Sequence, residues 1–343
     1  MIRLKYPRQW LVLLLGFFWW INLPLSVNSA ELRFQVAPQF SDSQVAGADS
    51  FFDINAAPKT QEDLALVITN PSDTSVIIDI SVHTAFTNVN GVVEYAMDAE
   101  IADPTLTYFM EDLVRSPEAI TLAAGEQRTV VLPLTMPSEA FDGYLAGGIR
   151  IQEIMEDEST NDNALTIRNE FAYVLGILLS NERESMIEPD LDLLKVFADQ
   201  LNYRNVFSAT LQNYTPVYIN QLAVTAEIRA EGQTDVLYEN HVEGMQMAPN
   251  SHFDFPIPLE GDRFRSGDYV LTLHAQSKEY EWSFDKSFTI ETDEARQFNR
   301  TDVNINEQIN WWAVLAIASL AVTLILTVSI LWKRKERDDE KKN

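Results

Sequence analysis

The residues of this 343-residue chain whose type or spacing could do chemistry include its many carboxylates, four histidines and one glycine-rich segment, and it has no cysteine. Thiol catalysis, disulfide exchange and cysteine-ligated zinc are therefore excluded. The histidines are His83, His241, His252 and His274. No HxH or HExxH spacing brings two of them to one metal, so neither a metal nor a cofactor is expected. GxSxG, SxxK, P-loop and dinucleotide-binding patterns do not occur. Asp and Glu are so abundant that carboxylate pairs arise throughout. A cell-wall hydrolase needs two of them facing across a cleft, whereas a solvated acidic face needs only exposure. Glu156, Asp157, Glu158, Asn161, Asp162 and Asn163 gather oxygen donors. They lack the spacing and central Gly of a calcium loop, and read as a hairpin tip.

What remains is Phe141, Asp142, Gly143 and Tyr144, followed by Gly147 and Gly148. The glycines lead into a strand, whereas a phosphate cradle needs a helix N-terminus behind it. They permit close approach of a partner's backbone or a glycan, so these six residues are the candidate binding site. A tight inter-strand connection packed on a sheet accounts for the same pattern.

The elements that must position these residues are strands. Apolar or alternating runs cover 64–69, 75–85, 129–136, 145–152 and 165–179, with turn residues such as Asn70-Pro71-Ser72-Asp73 between them. A second series follows Glu188-Pro189-Asp190, over 191–197, 207–212, 217–229, 252–257, 269–275 and 282–290. One helix is expected over 106–114, where Leu106, Phe109, Met110 and Leu113 share a face. Trp282 reads as a sandwich core residue. A repeat links the halves. Thr69-Asn70-Pro71 and Gln212-Asn213-Tyr214 each precede a long strand, and Ala123-Ala124-Gly125 corresponds to Ala248-Pro249-Asn250. The expected fold is all-β, with two tandem immunoglobulin-like β-sandwich domains over 31–185 and 188–291. A polar spacer is expected over 292–310.

The ends of the chain carry their own signals. Arg3, Lys5 and Arg8 precede an apolar run over 10–25 and the exit Ser26-Val27-Asn28-Ser29-Ala30. This reads as a signal peptide over 1–30, with an uncleaved membrane helix as the alternative. Residues 311–332 form an uncharged apolar run with Trp311, Trp312 and Trp332 at its ends. As a helix the run would span about 33 Å, enough for a bilayer core. Lys333, Arg334 and Lys335 follow, which predicts a cytoplasmic tail over 333–343 and a single-pass type I protein of the cell membrane.

The outward-facing part carries 16 basic and 47 acidic residues, a net charge near −31. Such a surface repels nucleic acid and anionic lipid and attracts cations or basic partners. An exported chain without cysteine points to a bacterial surface protein that relies on its cores alone.

Several strings taken in order resemble a known family. They are Gly125-Glu126-Gln127-Arg128-Thr129-Val130-Val131, Met136-Pro137, and Phe141-Asp142-Gly143-Tyr144-Leu145-Ala146-Gly147-Gly148-Ile149. With Leu66-Val67-Ile68-Thr69-Asn70-Pro71 and Phe171-Ala172-Tyr173-Val174-Leu175-Gly176, they resemble the first domain of the WxL-interacting proteins of Gram-positive bacteria. Met247-Ala248-Pro249-Asn250-Ser251, Phe253-Asp254-Phe255-Pro256-Ile257 and Gly267-Asp268-Tyr269 resemble the second. The resemblance implies a peptidoglycan-binding first domain and a second domain that binds host or partner proteins. It also implies partnership with secreted WxL-domain proteins, and it supplies no catalytic residue. The resulting expectation is a non-enzymatic, membrane-anchored surface adaptor. A carboxylate-dependent hydrolase and a passive stalk are the alternatives.

Overall fold

A computed structural model describes residues 33–155, 171–183, 186–305, 315–317 and 319–328. The expected signal peptide, the oxygen-rich loop from Glu156 to Asn163 and the tail over 333–343 lie outside the described residues. The first sandwich packs two sheets face to face. One is β1 (Gln35–Gln39), β3 (Gln61–Thr69) and β8 (Gln127–Thr135), in the order β1-β3-β8. The other holds β2 (Phe52–Asn55), β4 (Val76–Thr84), β7 (Ile120–Leu122), β9 (Leu145–Glu153) and β10 (Ala172–Ser180), in the order β2-β10-β9-β4-β7. Period-two alternation sends Leu64, Leu66 and Ile68 of β3 and Ile78, Ile80 and Val82 of β4 into one core. Each such burial contributes about 1.5–3 kcal/mol.

Between β4 and β7 the chain leaves the sandwich. It forms the short hairpin of β5 (Phe86–Thr87) and β6 (Val93–Glu94), then a loop and helix α1 (Met110–Leu113). The expected helix over 106–114 is thus reduced to one turn. Met110 is buried and its N–H bonds the Thr84 hydroxyl, while Leu106 lines a cavity beside that turn.

The second sandwich has seven strands. β11 (Leu191–Leu201), β12 (Arg204–Asn213) and β15 (Ser251–Pro258) form one sheet. β13 (Ile219–Ala230), β14 (Val236–Met247), β16 (Gly267–Ser277) and β17 (Tyr280–Ile290) form the other, in the order β14-β13-β16-β17. Phe207 anchors the core, with Phe264, Phe288, Tyr269 and Tyr238 at ring centroid distances of 5.1–5.7 Å. Strand β14 has no clear signal in the sequence. Asn240 interrupts its inward row, and its side chain is satisfied by the Pro256 carbonyl at 2.7 Å.

The polar stretch after β17 is not all spacer. Thr292–Thr301 forms helix α2, opened by a capping box between Glu291 and Glu294. Ala295 is buried, and Phe298 packs on Phe264 at 5.7 Å. Asn299 exchanges hydrogen bonds with the Phe264 backbone, and the Asp302 carboxylate accepts the Asn205 N–H at 2.7 Å. Two apolar contacts and several caps hold the helix where periodicity alone shows little. Residues 315–317 and 319–328 are helical, with Leu315, Leu320 and Leu324 exposed. Among the described residues no helix is long and apolar enough to cross a membrane.

Candidate functional site: the joint between the sandwiches

Strand β9 brings the candidate segment to the place where the two sandwiches meet. Phe141 packs against the first core, with its ring 6.2 Å from that of Tyr108. Its N–H donates to the Asn181 side chain at 2.8 Å. Asp142 is exposed. Gly143 has φ of +70°, and a Cβ there would run into the carbonyl oxygen of Pro216 in the second sandwich. The next N–H, of Tyr144, donates to that same carbonyl at 2.8 Å. Arg183 lies over the Tyr144 ring at 5.0 Å and ion-pairs with buried Asp53. Burial raises the Asp53 carboxyl above its ordinary value, and the Arg183 charge and hydrogen bond offset only part of the rise.

Gly147 and Gly148 are buried in β9. A Cβ on Gly147 would meet the His83 carbonyl and the Met110 side chain at 2.6 Å, and one on Gly148 the Tyr95 carbonyl at 2.5 Å. Their missing side chains are therefore filled by the chain itself. Phe141, Asp142, Gly143 and Tyr144 are brought together at the rim of the joint, while Gly147 lies under Met110 of α1 and Gly148 under Tyr95, in the loop that follows β6.

That loop and the β5–β6 hairpin supply most of the remaining joint. Gly91, at φ +67°, lets the hairpin tip lie on Met245, and its carbonyl accepts the Gln246 N–H at 2.8 Å. The Thr87 hydroxyl meets that of Ser251 at 2.6 Å and accepts the Ala248 N–H at 3.0 Å. Tyr95 and Tyr218 join hydroxyls at 3.1 Å above a small apolar cluster of Ala85, Val93, Ala146 and Ala248. Burial pushes both phenols up, Tyr218 well above its usual value.

Asp103 is the most heavily bonded group of the joint and is only 5% exposed. Its carboxylate accepts the Thr105 N–H and hydroxyl, the Gln212 amide at 2.9 Å, and His252 Nδ1 at 2.8 Å. Burial alone would raise this carboxyl, but the hydrogen bonds from His252, Thr105 and Gln212 outweigh it and hold the group down at about 2. The bond to Asp103 raises His252, burial opposes it, and Asp254 adds to the rise. A cavity of about 200 Å³ lies beside this pair, lined by Phe86, Ile101, Leu106 and Phe109. Asp103 is saturated by donors, and Asp53 is paired with Arg183 through one carboxylate oxygen. The Asp103-Pro104-Thr105 turn was the only sequence signal for Asp103. Tyr95, Thr87 and Ser251 had none, because their partners come from the other sandwich.

Of the other histidines, His241 and His274 flank Thr225 and line one cavity of about 230 Å³ with Glu243 and Glu281. His83 bonds Ser81 at 2.8 Å and Asp98 at 3.0 Å. His241 and His274 lie on the outer face of β14-β13-β16-β17, bonded to Thr225 and Ser283 respectively. Among the described residues no three ligands are grouped to hold a metal ion.

Solved structures similar to this chain include the E. coli chaperone DraB, at 14% identity over 75% of this chain and 98% of that one, with a TM-score of 0.26. The YadV chaperone is 11% identical over 76% of this chain and 100% of that one, at 0.28. A PapD-like domain of human CEP192 is 12% identical over 47% of this chain and 95% of that one, at 0.27. Scores this low support no functional conclusion. No curated protein matches the chain. Two family models do. Residues 34–153 match the peptidoglycan binding domain of WxL Interacting Protein, and residues 162–300 match its host binding domain. Strand β10 falls within the second match but completes the first sandwich, so the family boundary and the structural boundary differ. With both sandwiches matched in order, the chain belongs to the WxL-interacting protein family.

Proposed function

We propose that the chain is a non-enzymatic adaptor held at the cell membrane, with its first sandwich turned to peptidoglycan and its second to a protein. One observation carries this reading: a peptidoglycan-binding match and a host-binding match fall in succession on two sandwiches that share a buried, hydrogen-bonded joint. Two ligands bound on opposite sides of such a joint are held at a set distance, which is what an adaptor requires. Secreted WxL-domain proteins are the proposed protein partner, with host extracellular proteins as further ligands of the second sandwich. The uncharged run over 311–332 is the proposed anchor, placing both sandwiches in the cell-wall zone.

Within the candidate segment, Phe141 and Asp142 are the proposed glycan-facing residues, because Asp142 is exposed and Phe141 only half-buried. Gly143 and Tyr144 serve that surface by holding the joint beneath it, and Gly147 and Gly148 by letting Met110 and Tyr95 pack on β9. The test is co-sedimentation of the full chain with purified peptidoglycan, together with capture on an immobilised WxL domain. Binding to both supports the adaptor. Binding to neither would sink it, and release of sugar from the sediment would turn the reading toward a hydrolase.

A further inference from the structure

Strand β10 is covered unevenly. β9 pairs with it from Ala172 to Leu179, but on its other side β2 pairs only from Ile177 to Ser180. Among the described residues, 172–176 are therefore an open sheet edge, since β2 covers only the end of β10. The Ser180 carbonyl accepts the Ala56 N–H on the β2 side at 3.0 Å. With a period of two, Val174 and Ala172 turn their N–H and C=O groups to that same side, where no strand of the described residues meets them. Both residues are exposed, Val174 by 43%.

The side chains beside this edge are apolar. Tyr173, Leu175 and Ile177 face the core, so Val174, Gly176 and Leu178 lie on the outer face. With Phe51, Tyr95 and Tyr218 they line a groove of about 490 Å³. A Cβ on Gly176 would lie 3.5 Å from the Cβ of Phe51, in ordinary contact. The groove is continuous with the joint, because Tyr95, Tyr218 and Leu178 also pack against the joint's apolar cluster.

We propose that this edge and groove receive an extended strand of another protein, added to β10 by backbone hydrogen bonds, with apolar side chains at alternate positions seated in the groove. Unpaired backbone groups in a row select an extended chain over a helix or a glycan. The groove selects Val, Ile, Leu or Phe at every second position. Charge selects the partner: two copies of the outward-facing part, each near −31, repel, whereas a strand flanked by Lys or Arg is attracted. Because the groove ends at Tyr95 and Tyr218, the added strand would touch both sandwiches. This goes beyond the adaptor reading, which assigns protein contact to the second sandwich.

The test is a selection of phage-displayed random dodecapeptides on the full chain, with counter-selection on Val174→Lys. Selected peptides are expected to show apolar residues with period two and basic ends. Their binding should weaken at least tenfold on Val174→Lys, and likewise on N-methylation of alternate peptide amides. Bound peptide should also slow amide exchange at Ala172 and Val174. Ala172→Pro, which removes one outward N–H at the start of the strand, is the second variant should Val174→Lys fold poorly. Recovery of no peptide, of peptides without alternation, or of peptides that bind both variants like the parent chain would overturn the proposal. Peptidoglycan co-sedimentation should be unaffected by either variant, which separates this site from the wall-binding reading.

Discussion

Asn70 and Asn213 occupy the same place in the two sandwiches and make the same hydrogen bonds. Each is fully buried. The Asn70 side-chain oxygen accepts the N–H and hydroxyl of Ser72, and that of Asn213 accepts those of Thr215. The Asn70 amide donates to the carbonyls of Thr74 and Ala123, and the Asn213 amide to those of Val217 and Ala248. In both cases the asparagine pins a turn to the start of a distant strand. Gly125 and Asn250, two residues beyond those last carbonyls, share positive φ of +69° and +48°. Two copies of one plan account for this more directly than chance.

Replacing either asparagine with Ala leaves buried carbonyls and N–H groups unpaired. Each such group costs about 1–3 kcal/mol, so Asn70→Ala and Asn213→Ala should each lose about 3 kcal/mol or more. Urea denaturation of the full chain checks this. Equal stability of either variant and the parent would remove the pinning role.

Gly143→Ala should open the joint, because the new Cβ meets the Pro216 carbonyl and the backbone stays in a left-handed conformation. Gly125→Ala has a similar φ of +69° but nothing within 4 Å of the added Cβ. It should cost about 1 kcal/mol and leave the shape alone. Small-angle scattering separates the two, with a larger radius of gyration expected only for Gly143→Ala.

The Asp103–His252 pair sets a pH window for the joint. Asp103 falls from an ordinary 3.8 to about 2. A depressed carboxyl contributes stability that is present above its unfolded value and is lost as pH falls through the folded one. For so buried a side chain this amounts to about 2 kcal/mol. His252 is raised above 6.5, so its contribution is full below 6.5 and is lost as pH rises through the higher folded value. The joint should be firmest between about pH 4 and 6.5, with Asp254 adding to the His252 shift and Lys195 opposing it. Asp103→Asn should flatten the profile of denaturation midpoint against pH at both ends. An unchanged profile would show that other groups set it.

Helix α2 belongs to the second sandwich, which decides where a fragment can be cut. A chain ending at residue 305 retains Ala295, Phe298 and the Asp302 bond to Asn205. One ending at 291 loses them, at a cost of about 3 kcal/mol for the exposed apolar contacts and the unpaired N–H. Thermal melting of the two fragments should differ by several degrees. Coincident melts would show that the helix contributes nothing to the core.

The period-two runs were enough to locate most strands, because a half-buried sheet imposes alternation on any sequence that forms it. The apolar run over 311–332 and the excess of acidic residues were legible for a different reason, since composition alone carries them. Strand β14, helix α2 and the joint were not. Asn240 hides one element's period, and two apolar contacts are too few to show the other's. The joint depends on residues that meet only after both sandwiches have formed, such as Gly143 with Pro216 and Asp103 with His252. In the sequence Gly143 is a residue that permits close approach. Only the tertiary structure decided that what approaches it is the chain's own second sandwich, because nothing local encodes which distant backbone will fill the space a missing side chain leaves.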